Sequence, residues 1–302
     1  MNKDFLSIAE LTRNEIDEIF SLSQEIRTKL RNGETYHPLS GKTLAMIFQK
    51  PSARTRISFE TGMFQLGGHA LYLAPTDIGI GTRESFEDVA KVVSRYNDII
   101  MARLFGHDGI EKVAKYSSVP VINGLTDLLH PCQVMADTLT ILDHLGRVEG
   151  VQVTFVGDGN NLANSWLNFA SVYPIKLNLA IPEGYDPDEV ILENAKKSES
   201  EINIFRDPIA AVKGSDIIYT DVWASMGQEA EAEKRNKIFS GFQVNSELVK
   251  NAKPDVKVMH CLPAHRGFEI TDEIMDGPHA IVFDEAENRM HVQKAIMVKL
   301  MS

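Results

Sequence analysis

The chain has 302 residues, 43% apolar and 24% charged, which is typical of a globular protein large enough for two domains. Its formal charge of −11 disfavours nucleic acid and anionic membranes as general partners, since both require a net basic face. The two cysteines, Cys132 and Cys261, favour a reducing compartment and exclude a disulfide framework. No apolar run reaches the roughly 20 residues of a membrane span, and the first residues lack a signal-peptide core, so we expect a cytoplasmic protein.

The chain opens with the pattern of an amphipathic helix, because Thr12 and Glu15 have capping-box spacing and an apolar stripe follows from Ile16 to Leu30. Short apolar runs then alternate with helical patterns such as FETGMFQL and SFEDVAKVVSRY. The charge run EAEAEKRNK indicates a solvated helix. We predict strands at KTLAMIF, HALYL, NDIIMA, VPVIN, VQVTFVG, KLNLAIP, SDIIYT, VKVMH and AIVF.

Unbroken apolar strands separated by helices indicate parallel sheets that are buried on both sides. The predicted fold class is α/β, with two doubly wound domains, each a mainly parallel sheet covered by helices on both faces. A long helix from Pro131 should join the two near residues 131 to 150. In such folds ligands bind at the carboxyl ends of the strands, and the unusual polar residues of this sequence are found there.

The segment PSARTR lies between the predicted strand KTLAMIF and a helical pattern. Its serine, threonine and arginines would place hydroxyl and guanidinium donors beside the N–H groups of a helix N-terminus, a combination that suits phosphate. Taken alone, the motif is more often an ordinary N-cap with exposed arginines. Arg103 and His130 also follow strands, and three basic groups at neighbouring strand ends favour one small dianion.

The segment LLHPCQ places His130 directly before Pro131, the predicted first residue of a helix. The N–H groups and dipole of that helix favour an anion. A single histidine is more often a cap or core residue than a catalyst. With Gln133 one turn further on, His130 becomes a candidate donor to a carbonyl oxygen, whereas we interpret Cys132 as a packing residue.

Two motifs of the second half offer groups for an amine or a carboxylate. GDGNN is a weak nucleotide-binding signal, because the later glycine and acidic residue of that fingerprint are missing. Asn161 or Asn160 would instead bind a carboxylate or carbonyl. Asp221, the single acid of DVWASMG, suits an ammonium group, although such an aspartate caps a helix about as often.

The segment HCLPAHR contains His260, Cys261 and His265, without the paired spacing of a structural zinc site, so we predict no metal. Cys261 is interpreted as a polar contact, and as a proton acceptor if its neighbours lower its pKa from about 8.5. Arg289 in ENRMH is expected to begin the last helix, VQKAIMVKLM.

In this order, PSARTRISFE, HPCQ, DVWASMG, HCLPAHRG and FDEAENRMH resemble the ornithine carbamoyltransferases. The resemblance covers nearly the whole chain from about Lys42, and the combination is specific although each motif alone is not. It implies transfer of the carbamoyl group of carbamoyl phosphate to the δ-amine of L-ornithine, which gives L-citrulline and phosphate in arginine biosynthesis. It also implies no metal, no organic cofactor, and a homotrimer with active sites between subunits.

The resemblance also assigns site residues. Those implied to bind carbamoyl phosphate are Ser52, Ala53, Arg54, Thr55, Arg103, His130, Gln133, Cys261, Leu262 and Arg289. Those implied to bind ornithine are Asn161, Asp221, Ser225 and Met226. The implied catalytic residues are Arg103 and His130, which stabilise charge on the carbonyl oxygen, and Asp221 and Cys261, which orient the amine and receive its proton.

The same resemblance predicts a carbamoyl-phosphate-binding domain at residues 1–145 and an ornithine-binding domain at residues 146–302. The last helix, about 286–302, is expected to pack back onto the first domain, and Met226, Gly227 and the charged segment after them are expected to form a lid over ornithine. Gly79 stands where relatives commonly have glutamine, in a loop that reaches the neighbouring subunit's site. Either Arg83 compensates for the missing side chain, or the affinity for carbamoyl phosphate is lower.

Other activities are weighed against this interpretation. An aspartate carbamoyltransferase would require cationic groups for a second carboxylate, which DVWASMG does not supply, and a putrescine enzyme would need no contacts for an α-amino acid. A nicotinamide dehydrogenase is contradicted by the incomplete glycine fingerprint. A non-catalytic relative that binds carbamoyl phosphate is disfavoured by the presence of His130, Asp221 and Cys261.

Overall fold

The computed structural model describes residues 1–224 and 231–302, and the chain divides into two compact units. Unit 1 contains Met1–Ala136 and Asn288–Ser302, and unit 2 contains Asp137–Glu287. Within the described ranges, no helix combines the length and the apolar character that crossing a bilayer requires.

Unit 1 is built on a four-stranded parallel sheet in the spatial order β2-β1-β3-β4. The strands are β1 (Thr43–Phe48), β2 (His69–Leu73), β3 (Ile99–Arg103) and β4 (Val121–Leu125). The helices that precede and connect them are α1 (Arg13–Arg31), α2 (Ala53–Gln65), α3 (Pro75–Ile78), α4 (Phe86–Tyr96) and α5 (His107–Tyr116), and a 3₁₀ turn covers Ile8–Glu10. The predicted capping box is confirmed, since Thr12 Oγ1 accepts from the Glu15 N–H at 3.3 Å and Glu15 Oε2 accepts from the Thr12 N–H at 2.8 Å.

Unit 2 is built on a five-stranded parallel sheet in the order β7-β6-β5-β8-β9. The strands are β5 (Gln152–Val156), β6 (Lys176–Ala180), β7 (Glu201–Phe205), β8 (Ile217–Thr220) and β9 (Lys257–His260). The helices are α7 (Asn161–Ala170), α8 (Glu189–Ala195), α9 (Pro208–Ala211), α10 (Ala232–Phe239), α11 (Ser246–Val249) and α12 (Asp272–Met275), with a 3₁₀ turn at Ser240–Phe242. Two further helices, α6 (Pro131–Leu145) and α13 (Val282–Met301), contain residues of both units.

The strand prediction was wrong for AIVF and incomplete at EINIF. Val282 begins α13, and Ala280 makes only an isolated bridge to Val258. Two acidic residues fall in the first turn of α13, where the helix dipole favours negative charge, so the last helix starts seven residues before Arg289. EINIF forms β7 at the edge of the sheet, where partial exposure removes the long apolar run that identifies a central strand.

The strand pairing brings the chemically interesting loops of each unit to one edge of its sheet. In unit 1, Arg103 pairs with Phe48, so the end of β3 lies beside the end of β1 and the loop that follows it. In unit 2, Thr220 pairs with both Val156 and His260. The loops after β5, β8 and β9 are therefore neighbours.

Candidate active site

In unit 1, the N-terminus of α2 collects hydroxyl and guanidinium donors. Ser52 is the N-cap, and its Oγ accepts from the Thr55 N–H at 3.4 Å and lies 3.2 Å from Thr55 Oγ1. Arg103 Nη1 and Arg289 Nη2 donate to the same Thr55 hydroxyl at 3.4 and 3.1 Å. Thr55 and Arg289 are buried. Two guanidinium groups that meet at a helix N-terminus create a strongly positive site, which suits an anion.

His130 lies in the same positive environment. Burial lowers the pKa of His130 well below its usual value, and the charges of Arg289 and Arg103 lower it further. The imidazole is therefore neutral at neutral pH, with one N–H to donate. The backbone N–H of Gln133, a buried residue of α6, donates to the His130 carbonyl at 3.2 Å, so the start of α6 fixes the position of both residues.

The other cationic residues of PSARTR behave differently from each other. Among the described residues, no protein group accepts a hydrogen bond from the Arg54 guanidinium, which leaves its donors available to a ligand. Ala53 is the exposed first residue of α2. Arg56 donates to Glu60 Oε2 at 3.0 Å and stacks 4.0 Å from the centre of the Tyr72 ring. Arg56 is thus used on the outer side of α2 and does not join the cluster around Thr55.

Cys132 is a packing residue, as predicted. Its buried thiol donates to the carbonyl of Asn123 at 3.5 Å. Burial raises the pKa of Cys132 to about 12, so the group is an unreactive thiol.

In unit 2, Asp221 accepts hydrogen bonds from three donors. Asn160 Nδ2 donates to Oδ2 at 2.8 Å, and Oδ1 accepts from the Val222 N–H at 2.8 Å and from Cys261 Sγ at 2.9 Å. These three hydrogen bonds fix the orientation of the buried Asp221 carboxyl group. Asn160 is itself held as the N-cap of α7, because its Oδ1 accepts from the Leu162 N–H at 2.9 Å.

The sequence did not decide between Asn160 and Asn161 as a ligand-binding residue, and the two differ in the structure. Asn160 positions Asp221, whereas Asn161 is the buried first residue of α7. Ser225 and Met226, the other residues expected to bind ornithine, lie outside the described residues, as does the first part of the expected lid. Cys261 and Leu262, expected to contact carbamoyl phosphate, belong to unit 2.

The condition under which Cys261 would be a base is not met. Burial raises the pKa of Cys261 well above its ordinary value, and the Asp221 charge and hydrogen bond raise it further. The group is therefore a thiol that donates to Asp221, and it has no thiolate of its own to offer at neutral pH.

His260 holds the backbone beside Cys261 in an unusual conformation. Leu262 has a φ of +57°, in the left-handed region that side chains other than glycine rarely adopt. Its N–H donates to His260 Nδ1 at 2.9 Å, so Nε2 carries the proton and donates to the buried Glu269 at 3.0 Å. Asp221, His260 and Cys261 each have an atom that could bind a metal, and these atoms lie within 4.8 Å of one another. Both ring nitrogens of His260 already take part in hydrogen bonds, so we assign no metal to this group.

The interpretation of EAEAEKRNK as a solvated helix missed a buried cation. Arg235, on α10, is only 6% exposed, and its Nη1 lies 2.7 Å from Asp158 Oδ2 and 3.0 Å from the Trp223 carbonyl. Burial raises the pKa of Asp158, although the charge of Arg235 opposes the rise. The acid of GDGNN is therefore committed to Arg235. The one sequence signal for this burial was the presence of apolar residues near Arg235, such as Phe239 one helical turn further on.

Comparison with known proteins decides the family. A family model described as "Aspartate/ornithine carbamoyltransferase, carbamoyl-P binding domain" matches residues 3–143. A second, described as "Aspartate/ornithine carbamoyltransferase, Asp/Orn binding domain", matches residues 149–300. The chain belongs to the aspartate/ornithine carbamoyltransferase family.

Individual members of this carbamoyltransferase family are similar to this chain over nearly its whole length. The ornithine carbamoyltransferase of Thermococcus kodakarensis is 52% identical over 99% of this chain and 96% of that protein, and the chloroplastic one of Pisum sativum is 53% identical over 99% and 80%. The solved ornithine carbamoyltransferase of Pyrococcus furiosus is 51% identical and has a TM-score of 0.93 over 97% of this chain and 95% of that chain. The resemblance and the fold class predicted from the sequence are thus confirmed.

Proposed function

We propose that this chain transfers the carbamoyl group of carbamoyl phosphate to the δ-amine of L-ornithine, forming L-citrulline and phosphate in arginine biosynthesis. Its relatives carry the name ornithine carbamoyltransferase, and that of Pyrococcus furiosus is described as anabolic. The observation that carries the proposal is the convergence of Arg103 and Arg289 on Thr55 at the N-terminus of α2. Residues 1–145 would bind carbamoyl phosphate and residues 146–302 would bind ornithine.

The phosphate dianion is proposed to bind at the N-terminus of α2. Ser52, Arg54 and Thr55 supply side-chain donors there, Ala53 supplies its backbone N–H, and the helix dipole adds to the attraction. Arg103 and Arg289 bring two further positive charges. As the carbon–oxygen bond to phosphate breaks, negative charge grows on the leaving group, and these donors stabilise it more than they stabilise the intact substrate.

The carbonyl oxygen of the carbamoyl group is proposed to face Thr55, Arg103 and His130, with Gln133 holding the carbamoyl amide. A neutral imidazole with one N–H is a suitable donor to an oxygen that becomes negative when the amine attacks. Burial and the two nearby guanidinium groups keep His130 neutral, so it stays a hydrogen-bond donor and does not act as an acid.

The amine of ornithine must lose a proton before it attacks, because its pKa should resemble that of lysine, near 10.4. Asp221 is the acid proposed to bind ornithine, together with Asn161, Ser225 and Met226. The Cys261 thiol can accept a proton from the amine only as it passes its own proton to Asp221, 2.9 Å away. The nitrogen then bonds to the carbonyl carbon and gives its remaining extra proton to the departing phosphate as the bond to the phosphate oxygen breaks, and Cys261 ends the step as a thiol.

The proposal includes a homotrimer in the cytoplasm, and the reaction requires neither a metal nor an organic cofactor. Gly79 is the left-handed C-cap of α3, with a φ of +57°, so glutamine at this position would be strained. Arg83 Nη2 donates to the Asp77 carbonyl at 2.6 Å. This contact ties Arg83 to its own loop, which favours the alternative of lower affinity for carbamoyl phosphate.

The test is an assay of the purified protein with carbamoyl phosphate and, separately, ornithine, acetylornithine, putrescine or aspartate, with each product identified. Citrulline formation with ornithine as the best substrate is the expected result. A higher kcat/KM with putrescine or aspartate would reassign the substrate. Binding of carbamoyl phosphate without any carbamoylated product would contradict the catalytic role.

A further inference from the structure

A pair of buried carboxyl groups lies next to the strand ends that carry Asp221 and Cys261. Glu285, in the first turn of α13, is 1% exposed and is hydrogen-bonded to the side chain of Asp137, which is 0% exposed. Two carboxylates in contact away from water repel each other strongly, so one proton must remain between them. Burial raises the pKa of Glu285.

Glu285 contacts both strands that lead to the proposed amine site. Its Oε1 accepts from the Tyr219 hydroxyl at 3.0 Å, and its Oε2 accepts from the backbone N–H of His260 at 3.0 Å. Tyr219 comes two residues before Asp221, and His260 comes directly before Cys261. A single carboxyl group therefore holds the ends of β8 and β9 together. These two donors stabilise a negative charge on Glu285, against the larger effect of burial.

The carboxyl pair also affects the charge state of Cys261. Asp221, Glu285 and Asp137 are the carboxyl groups whose charges raise the pKa of this thiol, from the end of β8 and from helices α13 and α6. Burial raises the pKa of Tyr219, and the same carboxyl groups raise it further. His260, the residue before Cys261, is hydrogen-bonded through its Nε2 to Glu269 at 3.0 Å.

We infer that Asp137 and Glu285 share one proton and serve as positioning residues, which hold Asp221 and Cys261 in place and keep the ornithine site negative. The inference rests on the proposed function for the identity of the substrate. A negative site favours ornithine, which carries its amines as ammonium groups when it binds. It also keeps Cys261 protonated, so that the thiol continues to donate its hydrogen bond to Asp221.

A shared proton makes an unusual prediction for mutation, because either carboxyl group alone can carry the single charge. In Asp137→Asn or Glu285→Gln one carboxylate remains, and we expect the pKa of Cys261 to stay close to that of the wild type. In the double variant both carboxyl groups are gone, and this pKa should fall by about one unit, since a nearby negative charge has been removed. A structural role alone would not produce this non-additive pattern.

The measurement is the rate of iodoacetamide alkylation at Cys261 as a function of pH, followed by mass spectrometry. Cys132 provides an internal control, because it is buried and becomes labelled only if unit 1 opens. Asp284→Asn is the matched control variant: Asp284 precedes Glu285 on α13 but is exposed and contacts His144 at 2.8 Å. An unchanged pKa in the double variant, single-variant shifts that add up to the double-variant shift, or an equal shift in Asp284→Asn would overturn the inference.

Infrared spectroscopy tests the shared proton even if the double variant does not fold. Wild-type protein at pH 8 should show the carbonyl band of one protonated carboxylic acid, and each single variant should lose it because its lone carboxyl group ionises. Absence of the band in the wild type overturns the inference. In the folded double variant the KM for ornithine should rise about tenfold, in line with the loss of one nearby charge, while the KM for carbamoyl phosphate stays unchanged. Thiol and infrared readouts need no turnover, so failure of the proposed activity is distinguishable from failure of the pair.

Discussion

The neutral state of His130 is imposed by its neighbours. A histidine at a protein surface is half-protonated near pH 6.5, but this imidazole is buried beside Arg103 and Arg289, and each of these factors disfavours a further positive charge. The proposed role follows directly, since a neutral donor can stabilise a developing oxyanion without first losing a proton.

The first prediction concerns this donor. His130→Ala should lower kcat by about 10²–10³, the usual cost of one lost oxyanion donor, and should change the KM for ornithine much less. His130→Asn, which keeps a side-chain N–H, should recover part of the loss. Steady-state kinetics with both substrates varied provides the measurement, and near-normal turnover of His130→Ala would contradict the role.

The second prediction concerns stability against pH. Because the pKa of His130 is lowered in the folded protein, the unfolded chain binds a proton that the folded chain refuses as the pH falls below about 6.5. The free energy of unfolding should therefore be constant with respect to His130 above that pH and should decrease below it, by at most ~1.4 kcal/mol per pH unit. His107 acts with the same sign, since burial lowers its pKa.

Urea unfolding at several pH values measures this slope. His130→Gln should flatten part of the decrease below about pH 6.5. Equal slopes in wild type and His130→Gln would mean that His130 is protonated in the folded protein.

At the scale of single elements, the N-termini of two helices are each capped by a side-chain hydroxyl group. Thr12 caps α1 and Ser52 caps α2. Thr12→Ala and Ser52→Ala should each destabilise the protein by about 1 kcal/mol. Only Ser52→Ala should also raise the KM for carbamoyl phosphate, because only this cap is proposed to bind the phosphate. Chemical denaturation and kinetics on both variants separate the two effects, and equal KM values would place the phosphate elsewhere.

The sequence was informative wherever a local pattern determines the element. The capping box of α1, the start of α6 at Pro131 and the apolar central strands all depend on short-range signals. The strand prediction for AIVF failed because four apolar residues fit a strand or a helix equally well. Only the acidic residues in the first turn of α13 decide between the two.

The tertiary partners of charged residues were much harder to predict. The distance between Arg235 and Asp158 along the chain is 77 residues, and that between Arg289 and Thr55 is 234. The family resemblance supplied Arg289 and Thr55, whereas nothing local indicated the Arg235 pair or the contact of Glu285 with Asp137. The direction of the Cys261 pKa shift also depends on carboxyl groups that are remote in sequence.

At the scale of the whole molecule, the proposed trimer needs an apolar surface. In unit 1, Ile57 and Phe64 on α2 and Leu71 on the edge strand β2 are exposed. Edge strands with exposed apolar neighbours are common sites of association. We therefore expect the face formed by α2 and β2 to contact a second copy of the chain.

Phe64→Lys should shift the protein from trimer toward monomer in sedimentation or light scattering. Tyr96→Lys is a matched control, since Tyr96 is equally exposed but lies on α4. If the trimer persists in Phe64→Lys and dissociates in Tyr96→Lys, the contact between subunits involves the surface around α4 and not the face formed by α2 and β2.

The return of Asn288–Ser302 to unit 1 has a consequence for protein synthesis. Arg289 donates to Thr55, so a nascent chain that has not yet reached residue 289 contains every strand of unit 1 but lacks one guanidinium group of the proposed phosphate site. Such a nascent chain should not bind carbamoyl phosphate. A product truncated before residue 288 should also fail to bind it, however well the rest of the chain folds.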